Sequence, residues 1–346
     1  MPRSLDEMKL PYHIRWGALS LLLIMLFLFN LSSGSVDIPL GDVFNILLGK
    51  VGSNPIYTDI IWEFRVTKAL TCILAGSALS VGGLQMQTLF RNALAGPDVL
   101  GLSSGASLAV SLLLMSQAAG FQLFSDLGPW STVIAASIGA GLVFVVILFV
   151  ARRLGDNTSL LIIGLMIGAA TASLVSVLQF LSTAEDQQAY LLWTFGSLGT
   201  LNWTEIKILT AILVFGILIG MISVKALNAW LLGDNYARSL GVNIRRSRLF
   251  IILSAAVLTG GVTAFCGPIA FVGLAVPHLA KLVIRTHNHR ILFPAVIITG
   301  AILLLFCDVI AQFPGSRYVL PINAITALFG APVVIWIVLR AKRISI

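Results

Sequence analysis

Apolar residues recur along this chain in unbroken runs of about twenty, parted by short polar segments. A run of that length crosses a hydrocarbon core of about 30 Å as an α-helix. The runs are continuous rather than alternating, so they predict helices and not the strands of a membrane barrel. Ten spans follow, at roughly 14–33, 64–87, 96–117, 130–151, 159–181, 204–224, 248–266, 269–284, 292–313 and 322–340. An even number places both termini on one side. The expected fold class is all-α, a polytopic membrane protein forming one transmembrane domain over residues 1–346.

Two spans break the pattern. The third begins LAGPDVLGLSSGA, from Leu94 to Ala106, and the eighth reads CGPIAFVGLAVPHLA, from Cys266 to Ala280. Each has a Gly-Pro pair near its start and further glycines within. Proline removes a backbone donor, so such short or interrupted helices persist in a membrane only where protein or a wet cavity satisfies the freed groups. Each is also second in a set of four spans, 2–5 and 7–10, and the two sets run in opposite directions. That arrangement is expected of an inverted repeat in a transporter.

Composition supports this reading. Hydrophobic residues make up 58% of the chain, charged residues 10%, and the mean hydropathy is +0.99. A soluble domain carries about 25% charged residues, so this chain could not cover itself in water. The net charge of +8 therefore speaks of membrane orientation and not of nucleic acid. With a cytoplasmic N-terminus, 17 of the 22 Lys and Arg residues fall on the inside; Lys50, Arg65, Lys68, Lys207 and Arg317 fall outside. Removing the first run as a signal peptide would break that alternation, so it is expected to stay as a helix. Cys72, Cys266 and Cys307 lie in or beside apolar runs, without metal-ligand spacing, and read as packing residues.

Candidate chemistry inside the membrane is sparse. Asp308 in the ninth span is the main ionisable group, with His278 near the inner face. An ion-coupled secondary transporter with inverted repeats would need Asp308 to carry the ion, and usually needs more such groups. The scarcity points to an outside energy source. The chain has no GxxxxGK[ST] nucleotide-binding loop, no HExxH, and no helical pair of histidine ligands. It is expected not to be an enzyme, and any ATPase would be a separate chain. The largest inner loop, about 225–248, contains WLLGDNYARSLGVNIRRSR. It predicts one short helix ending at a glycine, with Asn243 capping the next helix. A partner protein could grip such a loop, or it could lie against anionic lipid.

Several segments resemble one family. QMQTLFRNALAGPDVLGLSSGASLAV (85–110), LGDNYARSLGVN (232–243), GPIAFVGLAVPHLAKLVIRTHNHRILFPA (267–295) and LFGAPVVIWIVLR (328–340) are similar to the permease subunits of ATP-binding-cassette importers for iron–siderophores, haem and vitamin B12. The likeness covers nearly the whole chain. It implies about ten helices per subunit and a homodimer or close heterodimer with a path between the two permease copies. It also implies two ATPase subunits holding ATP and magnesium, a periplasmic substrate-binding protein, and a place in the bacterial inner membrane with both termini cytoplasmic. No cofactor or metal is implied for this chain. By the resemblance, Arg65 docks a carboxylate of the binding protein. A second docking arginine falls near Gln312, where this chain departs from the pattern and Arg317 is the nearest substitute. Asn92 and Leu94 match one inner constriction, Thr158 and Ser159 another, although helix capping would also suit these polar residues. Gly233, Asp234, Ala237, Arg238, Leu240 and Gly241 match the segment that couples to the ATPase.

Overall fold

The computed structural model describes residues 11–342 except 35, 37, 51–53, 116–127, 129, 155–156 and 313–318. Among the described residues every regular element is a helix. In chain order these are α1 (Tyr12–Ser32), α2 (Leu40–Leu47) and α3 (Pro55–Asp59), then a π-helical segment Ile60–Val66 that runs directly into α4 (Thr67–Phe90). A 3₁₀ turn at Pro97–Leu100 precedes α5 (Leu102–Met115), α6 (Trp130–Arg153), α7 (Asn157–Leu181), α8 (Ala184–Thr194) and α9 (Trp203–Ile222). The chain continues through α10 (Val224–Trp230), α11 (Asp234–Ser239), α12 (Ile244–Cys266), α13 (Val272–Ile284), α14 (His289–Ala311) and α15 (Ile322–Lys342).

Seven helical runs are long and apolar enough to cross a membrane, and they fall on seven of the expected spans. The third, eighth and tenth spans coincide with shorter apolar helices, α5, α13 and Ile322–Trp336 of α15. The third is interrupted as the sequence implied: the 3₁₀ turn ends at Gly101 with φ 74°, a left-handed value that suits glycine. In the eighth, the chain passes Gly267–Pro268 without helix, and Pro277 sits inside α13.

Polar residues set the helix starts. Asn202 accepts from the amides of Thr204 and Glu205 at 2.9 and 3.0 Å, and Glu205 accepts from the Asn202 amide at 2.9 Å, a complete capping box for α9. Asn243 accepts from Arg246 N at 3.1 Å and starts α12, as expected.

α4 is the centre of the bundle: 83% of its apolar window is buried, against 17% for α1 and 22% for α7. It packs on α14 and α13, as α12 packs on α6 and α5, and α4 and α12 pack on each other. The first helix of each set thus meets the third and second helices of the other set, the packing an inverted repeat produces. Lipid tails are as apolar as leucine, so close backbone approach must hold such helices together. Gly76 and Gly300 supply it: a Cβ on either would strike the carbonyl oxygen of the other. The three cysteines are buried and unpaired.

Candidate functional site

At the end expected to face outward, Arg65 lies in the π-helical segment, a helix type frequent at functional sites. Its side chain turns inward and is only 6% exposed. Nη1 donates to the carbonyls of Leu31 and Ser32 at 2.6 and 2.7 Å, and Nη2 donates to Val36 O. The guanidinium thereby sits on the negative end of α1 and satisfies carbonyls the helix leaves open. Arg65 lines a cavity of about 320 Å³ with Phe64, Lys68 and Gln312. The two positions expected from the family pattern, 65 and 312, are thus brought together at one rim. Arg317 lies outside the described residues.

Asp308 sits just beneath. It is 4% exposed, and its Oδ2 meets Lys68 Nζ at 3.1 Å, Asn30 Nδ2 at 2.6 Å and Gln312 Nε2 at 2.7 Å. Three helices, α1, α4 and α14, are tied at one carboxylate oxygen. A buried acid held this way by a cation and two amides is a structural anchor.

At the opposite end, expected to face inward, α4 stops at Arg91, whose φ of 47° turns the chain. Asn92 Oδ1 accepts from Leu94 N at 2.9 Å and shapes the turn, so Asn92 caps no helix. Leu94 is left 46% exposed at the tip. His278, expected as an isolated ionisable group, donates from Nε2 to Ala93 O at 3.0 Å and steadies this loop from α13. The segment expected as a second constriction arrives beside it: Asn157, first residue of α7, donates to Leu89 O at 2.6 Å. Thr158, exposed, and Ser159, half-buried, follow in the same turn. The structure therefore joins the two segments that the sequence placed more than sixty residues apart.

The loop expected to couple to an ATPase forms α10 and α11. The end of α11 is a complete Schellman motif, with Gly241 N donating to Arg238 O at 2.9 Å and Val242 N to Ala237 O at 3.0 Å. Gly233 and Gly241, with φ 110° and 79°, bracket the helix that Asp234 begins. Ala237 is fully buried, in one core with Leu227, Trp230, Met86, Leu89 and Leu160. Tyr236, Arg238 and Leu240 point outward and are exposed. One apolar core thus holds α11, the last turn of α4 and the start of α7.

A polar chain runs beside that core, and sequence reasoning missed it. The backbone N and Nδ1 of His289 both donate to Asn228 Oδ1, at 2.8 and 2.9 Å. The ring proton is therefore on Nδ1, and Nε2 meets Thr88 Oγ1 at 2.9 Å. Asn228 Nδ2 in turn donates to Asn288 Oδ1 at 3.0 Å. The chain links α10, α14 and the last turn of α4. A polar THNHR stretch opening an apolar run was the available signal.

GLSSG at 101–105 has the spacing of a hydrolase nucleophile turn. Ser103, however, donates to Asp98 Oδ1 at 2.5 Å and meets Thr263 Oγ1 at 3.3 Å. No histidine bonds to it among the described residues, so the triad geometry is not assembled.

A helical bundle with interrupted third and eighth helices, near-empty of intramembrane charge and with a structured loop at one end, is a membrane permease. The chain matches the FecCD transport family over residues 22–340 and belongs to that family. It is 34% identical to the hemin transport system permease protein HmuU of Yersinia pestis over 329 residues, 94% of this chain and 96% of that one. It is 32% identical to the vitamin B12 import system permease protein BtuC of Shigella boydii over 333 residues, 96% and 97% of the two chains. A solved metal-chelate type ABC transporter in an inward-facing conformation has a similar fold, with TM-score 0.82 and 26% identity over 95% of this chain and 99% of that one.

Proposed function

We propose that this chain is the permease subunit of an ATP-binding-cassette importer carrying a bulky metal chelate or a corrinoid inward across the bacterial inner membrane. An iron–siderophore is the first cargo to test, followed by vitamin B12 and haem. The named relatives and the family support the class. The observation that carries it is the shared core of Ala237, Trp230, Met86, Leu89 and Leu160. A force applied to α11 reaches both constriction segments through this core, without any ion moving through the membrane.

In this reading the partners are a second permease copy, two ATPase subunits that hold ATP and magnesium, and a periplasmic binding protein. Gly233, Asp234, Ala237, Arg238, Leu240 and Gly241 form the ATPase-facing element, whose exposed side is Tyr236, Arg238 and Leu240. Asn92, Leu94, Thr158 and Ser159 close the inner mouth. Arg65 and Arg317 serve the binding protein, with Arg65 ordering the rim through its carbonyl contacts. Both termini face the cytoplasm. An ion-coupled carrier is disfavoured because Asp308 is enclosed by Lys68, Asn30 and Gln312.

Reconstitution tests this. The chain, its ATPase and its binding protein are placed in liposomes, and uptake of labelled ferric siderophore, cobalamin and haem is followed. Uptake of one cargo only with ATP is the expected result. Uptake by the chain alone under a proton or sodium gradient would refute it.

A further inference from the structure

A trench runs along the flank of the bundle between α6 and α12. At the end shared with α11 it encloses about 490 Å³, walled by Phe144, Leu148, Phe250 and Leu253 and headed by Arg152 and Arg246. Phe144 also borders a second hollow of about 220 Å³, floored by Gly141, Gly260 and Gly261. The two hollows lie end to end along the α6–α12 flank, with Phe144 lining both. From Arg246 to Gly261 the helix climbs about 22 Å. That exceeds the roughly 15 Å depth of a single hydrocarbon leaflet.

The charges at its head are unbalanced. Both guanidiniums are exposed, and neither has a carboxylate partner among the described residues. Arg245 and Arg246 lie in the first turn of α12, which has no acidic residue. That is the positive end of the helix dipole, so like meets like and an outside anion would relieve it. Arg248 is accounted for separately, since it donates to Leu154 O at 2.9 Å. A small anion would answer the arginines and leave the apolar groove open. A neutral lipid would fill the groove and leave the arginines unanswered. One ligand class does both.

We propose that this trench is a binding site for an anionic phospholipid, its phosphate on Arg152 and Arg246 and one acyl chain laid between α6 and α12 as far as Gly260 and Gly261. None of the residues assigned to the constrictions or to α11 lines it. The proposal does not depend on the transport reading, because symmetric bilayers present the same lipid to both ends of the bundle.

The test is a lipid titration of the full chain, read by native mass spectrometry after release from nanodiscs of phosphatidylglycerol or of phosphatidylcholine. The wild type is expected to hold phosphatidylglycerol at least about tenfold more tightly than phosphatidylcholine. Arg152→Gln with Arg246→Gln should weaken phosphatidylglycerol about tenfold and leave phosphatidylcholine unchanged. Arg152→Lys with Arg246→Lys should keep most of the preference. Gly260→Leu reads the groove with the arginines intact: its Cβ would meet only Ala140 Cβ, at 3.5 Å, so the longer side chain fills open space and should also weaken phosphatidylglycerol. Equal affinity for the two lipids in the wild type would overturn the proposal. So would phosphatidylglycerol binding unchanged in the Gln pair, or displaced by inorganic phosphate and indifferent to Gly260→Leu. Should the Gln pair fail to fold, as size exclusion would show, Gly260→Leu and the Lys pair decide.

Discussion

Asp308 shows how a residue's role depends on what surrounds it. Read as sequence, an acid inside an apolar run is a candidate ion carrier. In the fold, Lys68, Asn30 and Gln312 converge on its Oδ2. Replacing Asp308 with Asn should leave the half-buried Lys68 without its charged partner and cost about 3 kcal/mol of stability, seen as a lower melting temperature. ATP-driven uptake per folded molecule should persist; its complete loss in a stably folded variant would restore the carrier reading. Arg65 was singled out only by the resemblance to the permease family, because an arginine at a span end is ordinary in itself. Its contacts with three carbonyls of the α1 end were not legible, because nothing local in the sequence brings residue 31 to residue 65. His289→Ala should remove the link between Asn228 and Thr88. We expect ATP hydrolysis by the assembled transporter to continue while uptake per ATP falls several-fold. A proportional loss of both would mean that His289 only stabilises the fold.

Helices were the most legible level. Long apolar runs and their Asn caps fix where membrane helices start, and every expected span finds a helix. Short elements were harder to read. α2, α8 and α10 are too brief to give a periodic signal that stands out from loops. The π-helical turn at Ile60–Val66 is a slip in hydrogen-bond register, and side-chain identity does not report it. The glycines were visible as a class but not as partners. Gly76→Leu should drive a side chain into the Gly300 carbonyl and cost about 3 kcal/mol or more, measured as lost yield of folded protein. A variant that melts normally would show that α4 and α14 can separate at low cost. At Gly241, φ of 79° makes valine strained by about 1–2 kcal/mol, with the effect confined to α11. Hydrogen exchange should speed up there and leave α4 unchanged.

For the whole molecule, composition and the spacing of apolar runs determined the class, and the positive-inside bias proposed its orientation. What sequence could not show was convergence: constriction and coupling segments far apart in the chain share one inner core. If α11 is the ATPase-facing element, Tyr236→Asp with Leu240→Asp should abolish co-purification with the ATPase while the permease still elutes as a folded species. Retained co-purification would move the docking surface elsewhere. The anchoring of α1 also bears on how the protein is made. Its inner end is held by Arg15 on Ile284 O, 269 residues ahead, and its outer end by Asn30 on Asp308, 278 residues ahead. At about 5–20 residues per second, those partners leave the ribosome roughly 15–55 s after α1 does. The first helix inserted must therefore wait in lipid with an unanswered asparagine until the ninth span arrives. Its oily, mostly exposed surface lets it persist during that interval with Arg65 as its early tether, and a chain broken before residue 284 should leave the Arg15 and Asn30 contacts unmade and α1 open to the quality-control proteases of the membrane.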